Sequence, residues 1–386
     1  MSKFKNAFIK IGRKFESEYR ERELSKVLEI AQFDKIVQPK LTKIQTMVIV
    51  MPAISFNSGG GSSILRIGAS IAKHGVQVYY VAYNSDDIKT SESVAKKAIS
   101  EFKGNYLTYN DAKHMNFDVV MATNWTSVYY ARLLHGYKIY FMQDFEPLFY
   151  PMNEEYILAK KTYDFGFHII SLGKWNANQI AELCNVKNNV DTVDFPYEPK
   201  EYTFKERNFD DYETRKKFKI AVYTKSSGRR IPIITQVLLK NTCDELNKYG
   251  YELEVYFYGL LKGENVSVGK NLGLLTKKEL NELYQKVDFG MVASMTNISL
   301  VPYEMIAAGL PIIEFKDGSY ESFLGDDTAI LTSLDYHDLT NQLLEMLKDS
   351  SKIKKMQNSA INRISGLTWN NTCDQFWKIL ETSISK

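Results

Sequence analysis

Short apolar runs alternate with amphipathic helical stretches along most of this chain, and they do so in two series. In the first series the predicted strands are Met47–Met51, Val76–Ala82, Phe117–Ala122, Lys138–Met142, Phe167–Ser171 and Val190–Phe195. Helical periods fall between them, over Ser62–His74, Glu92–Phe102, Trp125–His135, Asn153–Tyr163 and Lys174–Cys184. A brief apolar run between helical patterns reads as a strand covered on both faces, as in a parallel sheet between helix layers. The stretch Pro196–Lys217 is polar, charged and without clear period, which predicts a linker. A second series follows, with strands Lys219–Tyr223, Leu253–Tyr258, Asp288–Ala293, Pro311–Phe315 and Ala329–Thr332. Its helices are Ile231–Tyr249, Lys277–Lys286, Leu300–Ala308, Tyr336–Lys348 and Ile353–Ile364, with one more over Thr368–Thr382. The pattern predicts an α/β protein of two doubly wound domains facing a cleft.

Size and balance agree. The 386 residues suit two or three domains of roughly 100–200 residues. With 49 basic against 46 acidic residues the net charge is +3, which argues against a nucleic-acid partner. Three distant cysteines, Cys184, Cys243 and Cys373, exclude a disulfide framework and a CxxC metal site, and suit a reducing cytoplasm. Five scattered histidines offer no His-rich centre. The longest apolar stretch, Thr46 to Phe56, is broken by Pro52 and is far below the ~20 residues of a spanning helix. No secretory signal pattern is evident. The charge is uneven only at the start. Lys3, Lys5, Lys10, Arg13 and Lys14 flank a face of Phe4, Phe8, Ile11 and Phe15. That arm reads either as an interfacial helix on an anionic membrane or as a helix covering a domain edge.

Four motifs carry chemistry. Gly59, Gly60 and Gly61 follow the first strand and open a helix, where bare N–H groups meet an anion or a sugar oxygen. The dinucleotide fingerprint fails at its third glycine, where Ile64 stands, although Asp86 and Asp87 lie where a ribose-binding acid would be. A nicotinamide-dependent oxidoreductase is therefore the lesser alternative, beside a glycine turn with no ligand. Asp144 and Glu146, in Gln143-Asp144-Phe145-Glu146-Pro147 at a strand's end, are candidate catalytic carboxylates, or else turn formers. Lys225, Arg229 and Arg230 form a cationic turn suited to a diphosphate, or a solvated loop. Last, Ser299 to Glu314 reads as a short helix with Pro302 in its first turn and Gly309-Leu310-Pro311 ending it. There Glu304 either favours the helix dipole or accepts hydrogen bonds from a ribose diol.

Together these motifs resemble the retaining, family-4 glycosyltransferases of the GT-B fold, over roughly residues 45–380. Leu274-Leu275-Thr276, Asp288-Phe289-Gly290 and Ser299–Ile313 carry most of the likeness. The phrase Gln143–Pro151 is similar to the WsaF-type rhamnosyltransferases, which assemble bacterial surface glycans from dTDP-rhamnose. The resemblance implies two Rossmann-like domains, an acceptor domain over 41–199 and a nucleotide-sugar domain over 218–365. Around them it leaves a basic helical arm at 1–40, the linker at 200–217, and a helix at 366–386 that crosses back. It implies that Lys225 and Arg230, with Arg229 beside them, hold the donor diphosphate. The N–H groups of Leu300 and Val301, after Ser299, add to that. The loop at Leu274 and Leu275 holds the base, and Glu304 the ribose. Gly60 and Gly61, with Gly59, approach phosphate or acceptor, and Asp144 stands near the reacting carbon. Glu304 matches the second glutamate of the family's E-x7-E motif, but the first is replaced by Thr296. No Asp-x-Asp occurs, so no metal or other cofactor is expected. The partners implied are a nucleotide sugar and a glycan or lipid-linked oligosaccharide acceptor. A non-catalytic glycan-binding protein on the same fold is the other alternative.

Overall fold

The computed structural model describes residues 18, 20–55, 59–184, 186, 190–226 and 228–384. The basic arm read above over residues 1–15 lies outside them. Two compact units emerge. Unit 1 holds Met1–Ser171, Gln179–Asp191 and Trp377–Lys386; unit 2 holds Leu172–Asn178 and Thr192–Phe376.

The first sheet has seven strands: β1 (Thr46–Met51), β2 (Gln77–Ala82), β3 (Asn105–Leu107), β4 (Asn116–Ala122), β5 (His135–Met142), β6 (His168–Leu172) and β7 (Asp191–Val193). Their order is β3-β2-β1-β4-β5-β6-β7. The β1, β2, β4, β5 and β6 pairings are parallel. The central strands are buried along their length, which is why they read as unbroken apolar runs. Helix α1 (Gly59–Lys73) follows β1, and α2 (Trp125–Arg132) follows β4. Helix α1 comes close to the sheet at Gly68, where an added Cβ would stand 2.1 Å from the Tyr80 hydroxyl. The edge strand β3 is missing from the sequence reading. Three residues are too few to show a period.

The second sheet has six strands: β8 (Lys217–Tyr223), β9 (Glu252–Tyr258), β10 (Lys270–Asn271), β11 (Phe289–Met291), β12 (Ile312–Phe315) and β13 (Ile330–Thr332). They run in the order β10-β9-β8-β11-β12-β13, all parallel. Counted within the unit this is 3-2-1-4-5-6, the dinucleotide-fold order, with its topological switch between β8 and β11. Ile220, Val222, Val255, Phe257, Met291 and Ile313 form its core with Leu239 of helix α3 (Pro232–Lys248). Each such burial stabilises by roughly 1.5–3 kcal/mol. Helices α4 (Lys277–Lys286), α5 (Leu300–Ala307), α6 (Tyr336–Lys348) and α7 (Ser350–Ile364) cover the sheet, and α8 (Trp369–Ile384) ends the chain. From Trp377 onward α8 belongs to unit 1, where the indole stacks on His74 at 4.1 Å and 9°.

Residues 200–217, read above as a linker, are part of unit 2. Thr203 is tied to Asn281 and Gln285 of α4, and the Arg207 guanidinium donates to the carbonyls of Tyr284, Val287 and Gly309. The stretch lacks periodicity because it is held by backbone and side-chain hydrogen bonds rather than by one apolar face. No helix among the described residues is long and apolar enough to cross a membrane.

Candidate functional site

In unit 2 the candidate site gathers at the carboxyl ends of β8 and β11, on either side of the switch. After β8 comes Thr224, fully buried, with its Oγ1 lacking a hydrogen-bond partner. Gly259, at the end of β9, sits at φ +96° with an added Cβ only 2.4 Å from the Thr224 carbonyl, so only glycine fits there. Lys225 is exposed, with its ammonium 5.9 Å from the Tyr223 ring. Arg229 is half-buried. Arg230 is buried, and its Nη1 donates to the Ala293 carbonyl beyond β11 at 2.8 Å. That bond spans the switch. The next residue, Ile231, has φ +36° and ψ +52°, a left-handed backbone that a β-branched residue adopts only under strain.

Beyond Ala293 the loop is fixed from below. Glu314 of β12 is fully buried and accepts from the Ser294 N–H at 3.0 Å, the Ser294 hydroxyl at 2.6 Å and the Phe315 N–H at 3.3 Å. Burial pushes its pKa up to about 7, against the pull of the Ser294 bonds and the Arg230 charge. Ser319 closes the network by donating its N–H to the Ser294 carbonyl at 2.7 Å. Thr296, at the position of the missing glutamate, is buried.

The loop then enters α5. Ser299 is its N-cap, yet its side chain makes no capping bond, and its Oγ is buried without a partner. The N-cap side chain therefore makes no bond to the first N–H groups of α5, at Leu300 and Val301, which carry the positive end of the helix dipole. The far side of this helix is anchored by Tyr303, stacked on Phe195 at 5.2 Å. Gly290 lets α5 approach the sheet, since a Cβ there would lie 2.4 Å from the Met305 sulfur.

Glu304, one turn into α5, sits among Tyr202, Tyr258 and Tyr284. Desolvation pushes its pKa up to about 7, opposed by the neighbouring Tyr202 hydroxyl. The hydroxyls of Tyr258 and Tyr284 bond each other at 2.7 Å. Leu274 is 64% exposed beside the Gly259–Gly273 backbone bond of 2.9 Å, and Leu275 is half-buried.

In unit 1, Gly59, Gly60 and Gly61 open α1. A Cβ on Gly60 would lie 3.5 Å from both terminal atoms of Gln143. The glycine turn and the Gln143-Asp144 turn thus meet at the carboxyl ends of β1 and β5. Asp144 is buried, and its charge helps to raise the pKa of the buried Tyr163. The Glu146 carboxylate accepts the Trp125 N–H at the start of α2, and the Tyr140 hydroxyl at 2.9 Å. Glu146 therefore ties its turn to a helix N-terminus, where the dipole favours an anion.

Solved structures with this architecture include sucrose-phosphate synthase from Thermosynechococcus elongatus, at TM-score 0.65 and 11% identity over 88% of this chain and 99% of that one. Another is Anabaena Alr3699/HepE in complex with UDP, at TM-score 0.66 and 12% identity over 88% of this chain and 100% of that one. A third is TarM, at TM-score 0.65 and 8% identity over 87% and 99%. The fold is GT-B. No family model matches the chain. A curated relative, the O-antigen biosynthesis protein RfbC of Myxococcus xanthus, is 22% identical over 358 residues, or 87% of this chain. The chain spans 27% of that relative's length.

In this GT-B chain, unit 2 brings together Lys225, Arg230, Ser299, Leu300 and Val301 around the β8–β11 switch. Unit 1 brings Gly60 to Gln143, next to Asp144 in the chain. Sequence reasoning missed Tyr202, Tyr258, Tyr284 and Glu314. Glu314 did leave a signal, as a lone charge inside the apolar run Ile312–Phe315. Tyr202 left none, because its stretch read as a linker.

Proposed function

We propose that this chain is a nucleotide-sugar-dependent glycosyltransferase of bacterial surface-polysaccharide synthesis, moving rhamnose from dTDP-rhamnose to a glycan or lipid-linked acceptor. The observation that carries the reading is the N-terminus of α5. Its N-cap residue, Ser299, makes no capping bond with its buried hydroxyl, and the helix starts at the switch that Arg230 spans. A diphosphate is the dianionic group such donors accept best. The relationship to an O-antigen biosynthesis protein supports the polysaccharide setting.

In this reading unit 2 binds the donor and unit 1 the acceptor. Lys225 and Arg230, with Arg229 beside them, and the α5 N–H groups neutralise the diphosphate, Leu274 and Leu275 border the base, and Glu304 takes the ribose. During transfer the bond from the sugar's anomeric carbon to the diphosphate oxygen breaks, and a bond from that carbon to the acceptor oxygen forms. The acceptor proton passes to the leaving phosphate. Negative charge grows on the diphosphate, so preplaced cations and N–H dipoles stabilise the transition state. Asp144 orients the acceptor, and Glu146 holds the turn that carries it. No metal takes part in this scheme, so activity should persist in chelator. Residues 1–15 hold the enzyme to the inner face of the cell membrane. A variant lacking them should lose vesicle co-sedimentation.

A thermal-shift panel of dTDP, UDP and GDP sugars tests the donor class. Stabilisation by dTDP-rhamnose is expected, and a shift confined to UDP sugars refutes the sugar assignment. Lys225→Ala, Arg230→Ala and Glu304→Ala should each lower transfer at least ~10-fold, about 1.4 kcal/mol. Near-full activity in all three removes the site. Thr296 favours a second reading, a binding protein without catalysis. Absence of both transfer and donor hydrolysis, with donor binding intact, would select it.

A further inference from the structure

One peptide unit in unit 2 lies between a buried acid and a buried base. It joins Ala293 to Ser294, both buried. A trans peptide points its N–H and its C=O to opposite sides. On one side the Ser294 N–H donates to Glu314 Oε2 at 3.0 Å; on the other the Ala293 carbonyl accepts from Arg230 Nη1 at 2.8 Å. Glu314 Oε1 also accepts the Ser294 hydroxyl at 2.6 Å, so one side chain grips this residue twice. The next peptide is fixed as well. The Ser294 carbonyl accepts from the Ser319 N–H at 2.7 Å and the Ser319 hydroxyl at 3.2 Å, and an added Cβ on Gly318 would lie 2.4 Å from it. The backbone beside Arg230 is strained instead, with Ile231 at φ +36°. Such strain persists only where surrounding contacts over-determine the turn, and the Arg230–Ala293 bond is one of those contacts.

Turned over, this peptide would set its N–H against the guanidinium donors and its carbonyl against the carboxylate oxygens. Donor would face donor and acceptor would face acceptor in a buried setting, which is costly. Glu314 thereby fixes the direction of the Ala293 carbonyl, and the carbonyl fixes the guanidinium. A cation held in place before its ligand arrives gives up little side-chain freedom on binding. Resting on the reading of Arg230 as a diphosphate-binding residue, we propose that Glu314 is a positioning residue for the donor: through the 293–294 peptide it sets the Arg230 guanidinium for the diphosphate. What it supplies is an acceptor for the Ser294 N–H, a service that an amide oxygen can also perform.

Calorimetric titration of the full chain with dTDP and UDP, each against its monophosphate, tests this. The diphosphate-to-monophosphate affinity ratio reads the grip on the second phosphate and cancels a general loss of base or ribose contacts. Glu314→Met fills similar space without a comparable acceptor and should lower that ratio by ~3–10-fold, the cost of ordering one freed arginine side chain. Glu314→Gln keeps an acceptor oxygen and should hold the ratio within ~2-fold. Arg230→Ala should lower the ratio too, and adding Glu314→Met to it should lower it no further. An unchanged ratio in a folded Glu314→Met protein overturns the inference, as does a further fall in the double variant. So does a ~10-fold fall in Glu314→Gln, which answers even where the methionine variant does not fold. If Arg230→Ala alone leaves the ratio unchanged, the diphosphate reading of Arg230 fails, and the inference with it. If neither diphosphate binds the wild-type chain, the nucleotide reading itself fails, and both fall.

Discussion

At the residue scale, two carboxyls, the buried Glu314 and the half-buried Glu304, shape how this protein answers pH. Glu314 has its pKa raised by burial from about 4.5 to about 7. The folded state therefore holds this proton more tightly than the unfolded state. The contribution of this group to stability is fully present below about pH 4.5 and is lost as pH rises through about 7. For the fully buried Glu314 the loss is on the order of 3 kcal/mol. Melting temperature should fall from pH 5 to pH 8, and Glu314→Gln should flatten that slope. An equally steep slope in the variant would assign the effect elsewhere. Glu304 is raised to about 7 as well, mainly by burial. If it accepts a ribose hydroxyl, it does so best as a carboxylate. Nucleotide affinity should then rise between pH 6 and pH 8, and titrations of Glu304→Gln should lack that rise. Arg230 also has a structural side. Its loss leaves the Ala293 carbonyl without its donor, so Arg230→Ala should melt earlier, by about 1–3 kcal/mol, as well as react more slowly.

At the element scale, α5 is the piece on which the site depends. It is eight residues long, too short to hold itself, and it is fixed by Tyr303 on one side and Met305 on the sheet side. Gly290→Ala would put a methyl 2.4 Å from the Met305 sulfur and 3.0 Å from Leu310 Cδ2. Overpacking of this kind costs about 1–3 kcal/mol. Because α5 must yield, the donor KM should rise as well. Denaturant melts and steady-state kinetics check both, and a stable variant with unchanged KM would show that α5 tolerates the shift. Most element boundaries were legible to within a few residues, and α4 and α6 match the sequence reading end to end. Among the strands, what escaped were β3, with three residues, and β10, with two. So brief a segment carries no period and is a strand only because a neighbour offers its edge.

At the scale of the whole molecule, the chain crosses between its two units more than once. Leu172–Asn178 and Thr192–Phe376 form one unit, with Gln179–Asp191 belonging to the other. The Leu172 carbonyl accepts from the Asn176 and Asn297 amides at 3.0 and 3.3 Å, and the Gly173 N–H donates to the Val193 carbonyl at 2.8 Å. A fragment over 192–376 lacks those partners. It should melt at lower temperature than a fragment beginning at Leu172, as circular dichroism would measure. Equal melting would show that the short segment contributes little. The sequence by itself determined the α/β class, the two series and the glycine and cationic turns at strand ends, because apolar period, glycine placement and capping are local properties. It also placed Lys225, Arg230 and Glu304 at strand ends or helix starts. Only the tertiary structure decided what each of them meets. Arg230 spans the switch to Ala293, Glu314 supports Ser294 from below, and Thr203 ties a stretch without periodicity to Asn281 and Gln285. Hydrogen bonds between residues far apart in the chain leave no mark on the pattern of either segment, so they exist for the reader only once the sheets have brought the segments together.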